Sequence, residues 1–169
     1  MAKEICKEDV NELEFRSQNS FQFDAFIAFA YEDTEYVLDL VNTLEEEYGL
    51  SLCIDVRDFV PGMPIVKNIL NAVRFSRRTV CFLTKHFLDS AWCMVELKCA
   101  RMETMYSRKG QTALYLVALE KGIKRRVPLD LMDLVNKKSY MDFHRDKEGT
   151  GDTEASIAFT TKLGETLTS

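Results

Sequence analysis

The sequence predicts an α/β fold: three layers, a five-stranded parallel sheet in the order 2-1-3-4-5, and helices on both faces. Three observations predict it. Short, nearly continuous apolar runs recur along the chain, as in FDAFIAFA (residues 23–30), TVCFL (79–83) and ALYLVAL (113–119). Unbroken apolarity of that length marks strands buried on both faces, as central parallel strands are. A helix-period stretch follows each run, and strands alternating with helices close into a parallel sheet through right-handed crossovers. Finally, 169 residues suit one domain rather than two, and a flavodoxin-like 2-1-3-4-5 order is the common solution at that size.

The elements follow in order. Residues 1–20 read as a polar lead-in, and the domain proper as 21–169. The first strand, residues 23–30, stops at the polar Tyr31-Glu32-Asp33-Thr34. Residues 34–48 then carry Tyr36, Leu40, Leu44 and Tyr48 at steps of four, with Val37 and Val41 alongside: an amphipathic helix ended by Gly49. SLCI (51–54) is the second strand. Pro64 suits the first turn of the next helix, whose missing N–H costs nothing there. Val66, Ile69, Leu70 and Val73 form its stripe, and Arg74, Arg77 and Arg78 sit at its end, where cations suit the dipole.

TVCFL (79–83) is the third strand. A long helix over about 86–107 follows, with Leu88, Ala91, Trp92, Val95 and Cys99 on one face. ALYLVAL (113–119) is the fourth strand, LDLMDLV a short helical segment, KSYMDF (138–143) the fifth strand and HRDKEGTGDT (144–153) a polar loop. The last helix carries Ala155, Phe159, Leu163 and Leu167, weakened by Gly164, which costs about 1 kcal/mol against alanine. In this order the chain reverses between the first and third strands, so a ligand crevice is expected outside their carboxyl ends. Tyr31, Glu32, Lys85 and His86 would line it, with Trp92 at the start of the following helix.

Composition excludes several functions. With 46% hydrophobic residues the chain builds a substantial core, and a net charge of −5 argues against a nucleic-acid coat. No run approaches the roughly 18 apolar residues that cross a bilayer, and the charged MAKEICKEDVNELEF lacks the apolar centre of a signal peptide. A cytoplasmic location, alone or as the cytoplasmic part of a receptor, is therefore expected. Five cysteines without a CxxC pair fit reduced thiols rather than disulfides or a metal site.

One loop stands out. Between SLCI and the next helix lies Phe59-Val60-Pro61-Gly62-Met63, apolar where most connections are polar. Such a tip either folds inward or meets a partner. FDAFIAFAY resembles the first signature of the Toll/interleukin receptor (TIR) domain, RDFVPG the second, and SAWCMVEL a third, in the family's order and approximate spacing over residues 21–167. RDFVPG looks most like the Toll-like receptor branch. The last signature departs from the pattern: Ala158-Phe159 stands where the family often has Phe-Trp. The resemblance implies that the loop after the second strand binds other TIR domains, with Arg57, Asp58, Phe59, Val60, Pro61, Gly62 and Met63 as its contact residues. The implied function is innate-immune-type signal transduction, through weak contacts that propagate by self-association or filaments.

The resemblance also carries an alternative. Some TIR domains cleave NAD⁺ with a glutamate at the place of Glu96, where a carboxylate suits an oxocarbenium-like sugar as it does in glycosidases. In that reading NAD⁺ is the substrate and Glu96 the catalytic residue; in the signalling reading there is no cofactor. Against catalysis, Ala30-Tyr31-Glu32-Asp33 is acidic where a pyrophosphate would need basic residues. Glu96 is otherwise a hydrogen-bonding residue beside a packed Trp92.

Weaker candidates remain. His86 near a helix start reads as a cap or surface group, Cys81 as core, and KGIKRR (121–126) as a solvated turn. Cys93 and Cys99, six apart, share no face for a metal. A phospho-receiver, the other common occupant of this fold class, needs an aspartate ending the third strand. Here that strand ends Leu83-Thr84-Lys85, and the fifth is followed by Asp142 and His144, so this function is excluded.

Overall fold

A computed structural model of the chain describes residues 21–108, 113–143 and 154–169. Five parallel strands, β1 (Phe23–Ala28), β2 (Leu52–Ile54), β3 (Ser76–Leu83), β4 (Leu114–Ala118) and β5 (Tyr140–Asp142), form one sheet in the order β2-β1-β3-β4-β5, as expected. β1 sits between β2, with Ala25 opposite Leu52, and β3, with Ala25 opposite Arg78.

The helices are α1 (Thr34–Tyr48), α2 (Asp55–Asp58), α3 (Ile65–Phe75), α4 (Lys85–Asp89), α5 (Ala91–Tyr106), α6 (Met132–Val135) and α7 (Glu154–Thr168). Because side chains alternate along a strand, β1 feeds two cores. Ala25, Ile27 and Phe29 face Val37, Leu40, Val41 and Leu44 of α1 and Phe159, Leu163 and Leu167 of α7. Phe26, Ala28 and Ala30 face Ala72 and Val73 of α3, Phe87 of α4, and Cys93, Leu97 and Ala100 of α5. Fully buried Phe26, Phe82 and Phe87 are each worth about 1.5–3 kcal/mol relative to exposure.

Several local expectations are corrected. β3 begins at Ser76, so Arg77 and Arg78 lie on a strand and not at a helix end. Their guanidinium groups instead hold the last carbonyls of α7: Arg77 donates to Leu167 at 2.8 Å, and Arg78 to Thr166 and Ser169. These are cations at a helix C-terminus, but another helix's. Pro64 is the N-cap residue of α3 rather than part of its first turn, and Val66 of the expected stripe is exposed.

The long helix is two. Thr84 caps α4 by accepting from the Phe87 N–H at 3.1 Å, and Ser90 caps α5 by accepting from Cys93 at 3.3 Å. The buried face of α5 is Cys93, Glu96, Leu97 and Ala100; Ala91 and Trp92, expected inward, are exposed. On α7, Ala155 is exposed, and Gly164 is no simple weakness. A Cβ there would lie 2.6 Å from ring atoms of Tyr48, so the missing side chain is what lets α1 and α7 approach. The polar loop expected over 144–153 lies outside the described residues.

Candidate interaction surface and strand-end rim

β2 runs directly into α2, a single helical turn, so the segment expected as a plain loop begins as helix. Asp58 closes this turn by accepting from the Ile54 N–H at 2.9 Å. Arg57 is committed to its own domain. It donates to Asp58 at 3.2 Å, to both carboxylate oxygens of Glu45 on α1 at 2.8 and 3.1 Å, and to the Leu52 carbonyl. Hydrogen bonding to Glu45 raises its pKa against the opposing effect of burial. Both charged residues thus tie the base of the loop to their own domain, and the Arg57 side chain stays partly exposed.

The tip divides. Phe59 turns inward and stacks on Phe26 of β1, joining the core over α3 and α5. Val60 turns outward and is 52% exposed. Residues 60–63 form a type II β-turn: Pro61 takes its second position, Gly62 its third with φ +82°, and the Met63 N–H donates to the Val60 carbonyl at 3.3 Å. Pro61 and Gly62 are exposed and Met63 is half-buried, its sulfur accepting from Asn71. Val56, Ile65 and Val66 add exposed apolar surface in the same short stretch. Sequence periodicity missed these three, because it counts apolar positions and cannot tell which ones a neighbour covers.

The residues expected to line a crevice lie just after the ends of β1 and β3. Tyr31 (84% exposed), Glu32, Lys85 and His86 are all open to solvent. Beneath them, the Thr84 hydroxyl donates to the buried carboxylate of Asp33 at 2.6 Å, joining the end of β3 to the turn after β1. Glu96 is 6% exposed, and burial, with Asp55 adding to it, pushes its pKa up to about 8. Trp92, the packed neighbour expected for it, is 53% exposed one turn away, so the two occupy different surroundings. Burial also raises the nearby Cys93 thiol to about 11, its sulfur lying 3.6 Å from the Phe29 carbonyl, and Cys53 to about 12. These thiols are poor nucleophiles at neutral pH.

A second apolar surface lies along α5. Lys98, Arg101, Met102, Met105 and Tyr106, with Asp130 and Leu131, line a shallow groove of about 360 Å³. Among the described residues, no group of three or more His, Cys, Asp or Glu is placed to hold a metal ion, and no helix is long and apolar enough to cross a membrane.

Comparison with known proteins agrees with this architecture. Residues 25–157 match the family model described as TIR domain. A Toll-like receptor 4 of Pinctada imbricata is 43% identical over 133 residues, covering 78% of this chain but 15% of the receptor. Mouse Toll-like receptor 13 is 33% identical over 129 residues, covering 75% of this chain and 13% of the receptor. The chain therefore spans less than a sixth of the length of these relatives. Among solved structures, the TIR domain of the Toll-related receptor TRR-2 from Hydra magnipapillata superposes with a TM-score of 0.65 at 21% identity, covering 88% of this chain and all of that one. A TIR-STING receptor from C. gigas gives 0.61 at 18%, covering 88% and 41%; both show likeness of fold. The family match reaches from the first buried strand, through the Pro61-Gly62 turn and the Glu96 helix, into α7, and with it the chain belongs to the TIR domain family.

Proposed function

We propose that the chain is a signalling domain that assembles with other TIR domains through the turn after β2, in innate-immune-type signal transduction and with no chemistry of its own. One observation carries this reading. Val60 stands half exposed on a turn whose neighbours are anchored, beside exposed Pro61, Val56, Ile65 and Val66. A surface already shaped loses less entropy on docking. The contact is head to tail, turn against a different surface of the next domain, and the open apolar face of α5 is a suitable second surface. Heterologous contacts of that kind extend into filaments. Each contact is small and weak, and clustering raises its strength through effective concentration. In a receptor of the length of its relatives, this domain would be the cytoplasmic part.

The test is capture of the untagged chain on beads densely coated with a tagged copy. Wild type is retained and Pro61→His is not; wild type washing through, or Pro61→His retained equally, overturns the reading.

A second reading, NAD⁺ cleavage at Glu96, is favoured by one observation: a carboxyl with a strongly raised pKa at the strand-end rim, the kind of perturbation that active sites use. It ranks below the first because the group is closed off and mainly neutral at pH 7, where an oxocarbenium ion needs a carboxylate. Incubating concentrated protein with NAD⁺ and following nicotinamide release decides it. Turnover lost in Glu96→Gln would reverse the ranking.

A further inference from the structure

Asn68 belongs to none of the signatures read from the sequence, yet it touches the proposed contact turn at two points. It lies in the first turn of α3, 7% exposed. Its side-chain oxygen accepts from the Val60 N–H at 3.0 Å, and its NH₂ donates to the Val60 carbonyl at 3.1 Å. That same carbonyl accepts from Met63, closing the type II turn.

We infer that Asn68 is the positioning residue that holds the Val60–Met63 turn in its docking conformation. The inference rests on the reading of that turn as the contact surface. Phe59 has polyproline II-like dihedrals (φ −71°, ψ 136°), in which successive side chains point in different directions around the chain. With Phe59 stacked inward on Phe26, Val60 faces out only while its peptide groups stay at this angle. A primary amide gripping both the N–H and the C=O of Val60 from the core side fixes that angle. Pro61 has no N–H to give, so the two-point hold acts on the residue before it. A primary amide supplies a donor and an acceptor side by side at a spacing that suits both groups of Val60. Aspartate keeps the shape but replaces the donor with an oxygen facing the Val60 carbonyl, and alanine removes both partners.

The experiment compares the full chain with Asn68→Ala and Asn68→Asp, reading the Val60 amide by NMR-detected hydrogen exchange and association by bead capture. Ile69→Val, which trims the buried face of the same helix, controls for lost stability. Asn68→Ala is expected to exchange the Val60 amide about tenfold faster, the loss of roughly one hydrogen bond, while amides of β1 and β3 keep their protection; Asn68→Asp keeps an acceptor for that N–H and loses only the grip on the Val60 carbonyl. Capture falls in both, whereas Ile69→Val changes neither readout. Unchanged Val60 exchange in Asn68→Ala would show that no such hold exists. Faster exchange with full capture would show that the hold does not serve docking. If Pro61→His abolishes capture and the Asn68 variants keep it, this inference alone fails; if Pro61→His itself keeps capture, the contact-turn reading fails first.

Discussion

Phe59 stacks on Phe26 with ring centroids 6.0 Å apart and planes inclined by 26°, while its neighbour Val60 stands in solvent. One peptide bond thus separates an anchored side chain from an exposed one, and substitutions should separate them too. Phe59→Ala should cost about 2 kcal/mol in urea unfolding, below the range for a fully buried phenylalanine because the residue is only partly buried. Val60→Ser should change stability by less than about 0.5 kcal/mol, as surface substitutions do, yet lose bead capture. Equal unfolding midpoints for the two variants would contradict this division.

Pro61→His removes the ring that presets the second position of the turn but leaves a residue able to adopt the same φ. Circular dichroism and the thermal midpoint should match wild type within a few degrees, with association lost. A variant that unfolds would make Pro61 a structural residue rather than a contact.

Arg57 gives a contrasting case. Its hydrogen bonds run to Glu45, Asp58 and Leu52, all in its own domain. Arg57→Ala should therefore lower stability, by up to about 1 kcal/mol given the exposure of the pair, and the loss should shrink in high salt. Unaltered stability with association abolished would instead make it a partner-facing charge.

Glu96 sets a pH dependence. Its folded pKa is raised from 4.5 to about 8, so the folded state holds the proton more tightly than the unfolded chain. The associated stability is present in full below about pH 4.5 and is lost as pH rises through about 8. Glu96→Gln, which cannot ionise, should thus match wild type near pH 4.5 and exceed it by about 2–4 kcal/mol at pH 9. Denaturant melts across that range check it, and a difference independent of pH would mean the carboxylate is compensated in the fold.

Gly164→Ala tests the approach of α1 and α7. Helix propensity alone would make alanine stabilising by about 1 kcal/mol. The 2.6 Å clash with the Tyr48 ring reverses the sign, and overpacking predicts a loss of about 1–3 kcal/mol. Adding Tyr48→Ala should recover the propensity gain in a double-mutant cycle; additive losses would place the strain elsewhere.

Much of this was legible beforehand. Thr34–Tyr48 is the helix read from Tyr36, Leu40, Leu44 and Tyr48, and continuous apolar runs located β1, β3 and β4. These are local signals, since 3.6-residue and unbroken apolar patterns are imposed by elements that must bury one stripe or both faces. The strand order is the common solution for a five-stranded parallel sheet of this size. Errors came where two neighbours compete for one surface. Trp92 and Val66 look like core to a pattern count, yet both are exposed; Glu96, read as a helix residue beside a packed Trp92, is buried while Trp92 is not.

By itself, then, the sequence determined the strands, the main helices, the parallel sheet and the turn made by Pro61 and Gly62, because each depends on backbone preference and on which residues avoid water. Only the tertiary structure decided that Phe59 anchors while Val60 projects, that Arg57 is committed to Glu45, and that Asn68 grips the turn from eight residues away. Those outcomes depend on which atoms of distant segments arrive within hydrogen-bonding or stacking distance, and no local pattern of residue types encodes that arrival.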